Sequence, residues 1–441
     1  MKSRLQTFNN KLQEPVSAAP FLSFRMVFGL LMAFSTLRFV LLGWIEDHYS
    51  EPHFHFHYFG FDWIPESSAS LLYLLHLIMF VSAIGVMTGR FYRISAISLF
   101  LIFSYTELID LTYYLNHYYF VSLVCFWLAI IPEPDKNSKI PYWCIFIFKF
   151  QLILVYLYAG LAKINADWLL QAMPLKIWLP AHDDLFLIGP LLTLPATAYV
   201  FSWFGMIYDC SIAFLLLYKP SRPFAYITVI VFHVLTGLLF QIGVFPLVMI
   251  GATLIFFSEE WHKSLLQKIK AIPLLGSMFV FSSSRESQFR QSVITPVFKV
   301  LFVSYLLFQI LFPWRYLLYP GNLFWTEEGY RFSWRVMLME KAGDATFYVK
   351  DSKTGREGIV DNREFLNAHQ EKQMSFQPDM ILQFAHFLGE HYERQGVSDP
   401  LVRAEVYVTL NAQPSKLLID PNVDLMKQED TWSRKSWILP Y

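Results

Sequence analysis

The chain has 441 residues, of which 55% are hydrophobic, 18% aromatic and only 16% charged, with a mean hydropathy of +0.38. A soluble domain carries about 25% charged residues, so an ordinary soluble globular protein is excluded, and repeated apolar runs of about 20 residues read as a multi-pass membrane protein. The 35 basic and 35 acidic residues cancel, which gives no reason to expect a nucleic-acid partner.

The first residues are polar and lack the basic-then-apolar order of a cleaved signal peptide. The first apolar segment is therefore expected to serve as the signal anchor. Hydropathy places nine spans, at 20–44, 70–88, 93–108, 117–131, 142–161, 196–218, 225–241, 244–257 and 296–314. The third, fourth and eighth are short for a crossing, which reads as tilt, re-entry or shelter among neighbouring helices.

Charge placement orients the spans. Lys2, Arg4 and Lys11 precede the first, Arg90 and Arg93 follow the second, Lys136 and Lys139 the fourth, and Lys219 and Arg222 the sixth. The loop after the eighth carries Lys263, Lys268, Lys270, Arg285 and Arg290, whereas 45–67 has no Lys or Arg and the third span is followed by Glu107 and Asp110. Basic residues on alternate loops put the N-terminus in the cytoplasm. Nine crossings then place everything after Trp314 on the other side, periplasmic or lumenal.

Past that point the texture changes. Residues 345–351 read as a strand, 352–355 as a turn and 356–360 as the return strand of a hairpin. Met380, Ile381, Phe384, Phe387 and Leu388 recur at helical spacing within 379–392. Residues 402–410 alternate like a strand, and 417–421 read as another. The three cysteines, Cys125, Cys144 and Cys210, all lie in apolar runs, so the polar part has no disulfide framework of its own. The expected fold is an all-α polytopic membrane bundle of about nine transmembrane helices with a small α+β extramembrane C-terminal domain. Its divisions are 1–19, a cytoplasmic segment; 20–314, the bundle carrying the active site; and 315–441, the non-cytoplasmic domain.

Several polar groups stand where membrane spans should have none. Lys163 sits where the fifth apolar run ends. Charge at membrane depth is costly and marks a functional site by default, although a lysine near a span end also reaches the headgroups by snorkelling. Arg38, Asn116, His117, Asp209 and His233 lie in or at other spans. Arg38 and Asp209 are expected to neutralise each other, His233 to make a helix–helix hydrogen bond, and the set to share a polar cavity. His53, His55 and His57 alternate along one stretch and would share one face of a strand. Imidazole suits Zn, Cu, Fe and Ni, but no fourth ligand has a fixed spacing, and the same pattern describes an interfacial strand with an aromatic face, so no metal site is assigned. The chain has no Gly-rich phosphate loop, nucleophile elbow or zincin helix.

Residues 159–168, Ala-Gly-Leu-Ala-Lys-Ile-Asn-Ala-Asp-Trp, resemble the lysine motif of the vitamin K-dependent gamma-carboxylases. Four further blocks agree in order: 107–110 with Asn116-His117-Tyr118; Phe232-His233 with Gln241-Ile242-Gly243; 325–337; and 419–424 with Ser436-Trp437. The resemblance runs from about residue 20 to the end and implies a short, bacterial-type member of the family. Such an enzyme oxidises a reduced vitamin K hydroquinone, phylloquinol or menaquinol, with O2 to the 2,3-epoxide. It uses that energy to deprotonate the γ-carbon of a protein glutamate, which then adds CO2.

The resemblance assigns roles. Lys163 deprotonates the hydroquinone, for which it must be neutral, and burial favours the neutral amine. His117 serves the carbanion and CO2 step, with Asn116 beside it as a hydrogen-bond donor. Tyr330, Ser333 and Trp334 line the quinol and glutamate pocket, and His233 belongs to the later membrane block. The implied partners are a glutamate-containing protein or peptide, membrane lipid and quinone; the oligomeric state is left open.

This sequence departs from the family at Asn165, where relatives often carry an acid. It also lacks the inter-loop disulfide and the long C-terminal region tied to propeptide binding. The alternatives are a quinol epoxidase without carboxylation, a transporter using Arg38, Asp209, His117 and Lys163 as a relay, and a non-catalytic scaffold.

Overall fold

A computed structural model describes residues 2–135, 137–240, 242–280 and 295–441. Lys136, Gln241, Arg285 and Arg290, which entered the charge and motif readings, lie outside the described residues, as do the side chains of Lys2 and Arg4.

The bundle consists of α1 (Ala19–Leu41), α2 (Ala69–Thr88), α3 (Tyr92–Ile109), α4 (Asn116–Ile130), α5 (Trp143–Ala162), α6 (Pro195–Leu217), α7 (Arg222–Leu239), α8 (Phe245–Thr253) and α9 (Pro296–Leu311). Seven of them, all but α4 and α8, are long and apolar enough to cross a membrane, α9 with its 3₁₀ continuation to Leu318. The other two expected spans are shorter apolar helices, Asn116–Ile130 and Phe245–Phe256. At 1.5 Å per residue neither reaches the ~30 Å of a hydrocarbon core. Local chemistry sets the ends. Ser68 caps α2 through Leu71 N at 3.4 Å, and Gly89, at φ +80°, closes it. Proline opens α6, α7, α8 and α9, where its missing N–H costs nothing. Large apolar side chains such as Leu30, Leu77, Phe204, Ile227 and Leu301 stay exposed on the outside, as a surface solvated by lipid requires.

The C-terminal part is a four-stranded antiparallel sheet, made of β1 (Lys341–Asp351), β2 (Glu357–Ile359), β3 (Pro400–Leu410) and β4 (Lys416–Leu417), in the order β2-β1-β3-β4. The β1–β3 register runs from Lys341↔Leu410 to Asp351↔Pro400. The helix α10 (Pro378–Arg394) buries Met380, Ile381, Phe384 and Leu388 against the sheet core. The expected hairpin and helix are thus present. The first strand begins four residues earlier than its alternation indicated, and the strand expected at 417–421 is reduced to a short edge.

This domain does not close its core alone. Phe347, Phe384 and Val406 share one apolar cluster with Phe56, Tyr58, Leu111, Trp168 and Leu175 from the bundle's interhelical connections. The sheet domain is seated on the end of the bundle where α3 passes to α4 and α5 ends. That end carries Lys163.

Candidate functional site

Lys163 follows the last residue of α5 and closes it; its backbone N–H donates to the Gly160 carbonyl. Two residues later Asn165 caps the next short helix, its Oδ1 accepting from Trp168 N at 2.9 Å. The sharp turn folds the lysine back into the bundle. Its Nζ donates to Asp209 Oδ2 at 2.8 Å and to the Ala159 carbonyl at 3.2 Å, and it lies 5.3 Å from the centre of the Trp168 ring. Both side chains of the pair are less than a tenth exposed. The ammonium therefore points inward, and the snorkelling alternative does not describe it.

Asp209 was expected to pair with Arg38; it pairs with Lys163, and Arg38 lies over the Trp44 ring at 4.5 Å. The reason is a close crossing of α5 and α6. A Cβ on Gly160 would stand 2.6 Å from Cys210 N, so only glycine lets the two backbones approach. That approach places Asp209 beside the lysine one turn further on.

The pair lines a cavity of about 110 Å³. Trp168, Trp178, Phe201, Phe232 and Phe245 supply its aromatic walls, and Val336 and Met337 close it from the side of the C-terminal part. His233 also lines it, with Nε2 3.1 Å from the Tyr156 hydroxyl and a buried Nδ1 that has no hydrogen-bond partner. His117, in the first turn of α4, is outside this lining. Its ring packs 5.1 Å from that of Phe245, whose other neighbour is His233 at 5.8 Å. Lys163, His233 and His117 are thereby gathered around one aromatic wall.

Asn116 is a clamp. Phe332 N–H donates to the Tyr114 hydroxyl, Tyr114 donates to Asn116 Oδ1, and Asn116 Nδ2 donates to the Arg335 carbonyl, at 2.7, 3.1 and 2.8 Å. What it holds is the stretch 327–337. Glu327, Phe332, Trp334 and Met337 there all have φ between +52° and +60°, a region that costs an L-residue of order 1 kcal/mol or more. Two ion pairs, one of them fully buried, secure the first half of the stretch. Lys341 Nζ meets Glu327 Oε1 at 2.8 Å, and Arg331 pairs with Asp379. Burial would lower the Arg331 pKa, but Asp379 outweighs it and holds the guanidinium charged. Burial would likewise raise Asp379, and Arg331 outweighs that and holds the carboxyl below its ordinary range.

The same stretch walls two larger cavities. One, of about 490 Å³, lies between α3, α4 and the C-terminal part and is lined by Glu107, Arg315, Glu327, Glu328, Arg331, Asp379, Asp430 and Lys435 among others. The other, of about 210 Å³, lies against the far side of the Lys163 turn and includes Asn165, Tyr316, Asn322, Ser333 and Arg335. Of the expected pocket residues, Ser333 lines this third cavity. Tyr330 and Trp334 line none of the three; Trp334 is buried against the Tyr119 ring at 4.9 Å, and Tyr330 packs on Phe324.

Among the described residues no group of three or more His, Cys, Asp or Glu could hold a metal. The histidine run instead docks the sheet domain. His55 Nδ1 lies 3.0 Å from Asp110 Oδ2, to which Gln370 Nε2 donates at 2.6 Å, and His57 exchanges two backbone hydrogen bonds with the Gln383 amide. Burial would lower the His55 pKa, but the Asp110 bond and charge prevail and raise it.

Residues 13–261 match the family model described as HTTM domain, and 294–441 match the model described as vitamin K-dependent gamma-carboxylase, lumenal domain. No solved structure matches the chain.

Proposed function

The chain belongs to the vitamin K-dependent gamma-carboxylase family, and on that footing we propose that it is a membrane enzyme coupling O2-dependent oxidation of a reduced vitamin K quinol to CO2 addition at the γ-carbon of a protein glutamate. The observation that carries this reading is the buried Lys163–Asp209 pair opening on an aromatic cavity at the end of a span.

The residues suit the quinol. The Trp and Phe walls match a flat apolar ring system, and the Lys–Asp end meets a hydroxyl. The open space of about 110 Å³ is narrow, so the rings of Phe201, Phe232 and Phe245 have to part around a bicyclic head. When bound, the quinol supplies through its oxidation to the epoxide both the driving energy and the strong base that takes the glutamate γ-proton.

Lys163 takes the quinol hydroxyl proton. Only the neutral amine can do so, and Asp209, 2.8 Å from its Nζ in the same buried site, holds the nitrogen in place and accepts from the ammonium that forms. The ammonium that results then balances the negative charge on the quinol oxygen. Asn165, in place of an acid, adds no second negative charge at the turn that carries Lys163. His117 acts at the glutamate and CO2 step, and Asn116 holds it in register with the 332–335 backbone. On this reading residues 1–19 are cytoplasmic, 20–314 form the bundle that carries the site, and 315–441 lie on the extracytoplasmic or lumenal face.

The test uses the full chain in lipid nanodiscs with reduced vitamin K, O2, labelled bicarbonate and a glutamate-rich peptide. Epoxide and acid-stable peptide label are followed together. Both are expected from the native chain and neither from Lys163→Ala. Epoxide without label in the native chain would leave only the quinol half of the proposal; neither product from a folded chain would overturn it.

A further inference from the structure

The cations that line the three cavities are Lys163, Arg315, Arg331, Arg335 and Lys435. Lys163, Arg331 and Lys435 are paired with Asp209, Asp379 and Asp430. Arg315 spends its guanidinium on the Phe312 and Arg331 carbonyls. Arg335 is different. It is 91% buried, being 9% exposed. Among the described residues no carboxylate pairs with it, and its buried Nε has no hydrogen-bond partner. Its close neighbour is Tyr316, whose ring centre lies 4.3 Å from the guanidinium carbon. A buried cation without a counter-charge is costly, and a guanidinium offers a planar fork that fits a carboxylate.

The cavity around it has the complementary character. It holds about 210 Å³, room for the side chain of one residue, and no Asp or Glu lines it among the described residues. The 490 Å³ cavity, in contrast, has five acidic residues in its wall, Glu107, Glu327, Glu328, Asp379 and Asp430, and two of its three cations are already paired with acids there. Asn322 uses its Oδ1 to cap Phe324 N at 2.9 Å, which leaves its amide NH2 as a second donor at the Arg335 cavity. The placement also suits the reaction. Leu161, Ala162, Ile164 and Asn165 wall this cavity while Lys163 walls the aromatic one, and along the next wall Ser333 and Arg335 line the former while Val336 and Met337 line the latter.

We propose that this cavity receives the side-chain carboxylate of the substrate glutamate, with Arg335 as the residue that recognises it. The proposal rests on the carboxylase reading above and names where its acidic substrate is held. Arg335 selects the anionic side chain, and the Lys163 turn borders both the carboxylate and the quinol.

The experiment compares the native chain with Arg335→Gln and Arg335→Lys in nanodiscs, each checked for folding by thermal unfolding. The probes are a short glutamate-containing peptide and its glutamine counterpart, with binding measured directly by intrinsic tryptophan fluorescence and turnover measured in parallel. The native chain is expected to prefer the glutamate peptide. Arg335→Gln should lose roughly tenfold or more of that preference, the scale of one charge-assisted hydrogen bond, and Arg335→Lys should recover part of it. A merely structural arginine would weaken both peptides alike, so an unchanged glutamate-to-glutamine ratio in a folded Arg335→Gln variant overturns the site. Bicarbonate added as competitor separates the two carboxylate-like anions: displacement by bicarbonate at lower concentration than by the peptide also overturns it. Because the binding ratio needs no turnover, a native chain that forms no product while the ratio collapses in Arg335→Gln refutes the carboxylase reading and upholds the acidic-side-chain site.

Discussion

The Lys163–Asp209 and Lys341–Glu327 pairs are both 2.8 Å long, and every side chain in them is less than a tenth exposed. Their surroundings separate them. Lys341 also donates to the Trp325 carbonyl at 2.8 Å, packs near the Trp325 and Phe376 rings, and lines none of the three cavities; only its partner Glu327 reaches one, the largest and most charged of them. It fastens the strained stretch to the first strand. Lys163 faces an aromatic cavity at the end of an apolar helix long enough to cross a membrane. A buried ion pair is thus a poor marker of chemistry on its own. The marker is a pair with one open, apolar side.

The sharpest way to break this contrast is to remove each lysine. Lys163→Ala should lower the rate of epoxide formation at least about a hundredfold, the scale of a lost proton-transfer group, measured at saturating quinol. If the variant keeps its rate and only its melting temperature falls, the two pairs are alike and the catalytic assignment fails. Lys341→Met should leave Glu327 as a buried unpaired charge and cost about 3–5 kcal/mol of stability, read by thermal unfolding.

A smaller effect is expected from Gly160→Ala. The added Cβ presses on Cys210 N, forces α5 from α6 and should cost about 1–3 kcal/mol. It should also slow epoxide formation more than the same change at Gly205, where a Cβ would be 3.8 Å from its nearest neighbour. The smallest effect belongs to the domain-docking contact. The folded-state pKa of His55 is raised, so its stabilisation is fully present below the ordinary value of about 6.5 and is lost as pH rises through the raised one. The groups facing it are Asp110, Glu66 and the Gln370 amide. The melting difference between the native chain and His55→Gln should be largest near pH ~6, on the order of 1 kcal/mol, and should shrink toward alkaline pH. A difference that grows with pH would reverse this assignment.

The membrane character, the amphipathic helix after Pro378 and the Lys163 turn were legible because each rests on a local pattern: hydropathy, a 3.6-residue period, and a charge at the end of an apolar run. What escaped was pairing across the bundle. Asp209 was noticed but given to Arg38, since nothing local says which helices touch; the signal was Gly160, a glycine in the middle of a span. His55 alternates with its neighbours like a metal ligand, and its actual partner, Asp110, lies on a connection 55 residues away. Arg335 inside the Trp-Arg-Val-Met run carries no local sign of its setting, because isolation from carboxylates is a property of the folded neighbourhood alone.

The stretch 327–337 forms a wall of all three cavities. A shared partition makes occupancy a matter of thermodynamic reciprocity. If a peptide seated against one face of it tightens or loosens the quinol site by some factor, the quinol must alter peptide affinity by the same factor. The four left-handed non-glycine residues in that stretch resist small continuous adjustments, because the conformations open to them are few and separated. A cooperative response there would be stepwise rather than graded, with the two substrates registering each other's arrival through one short run of backbone.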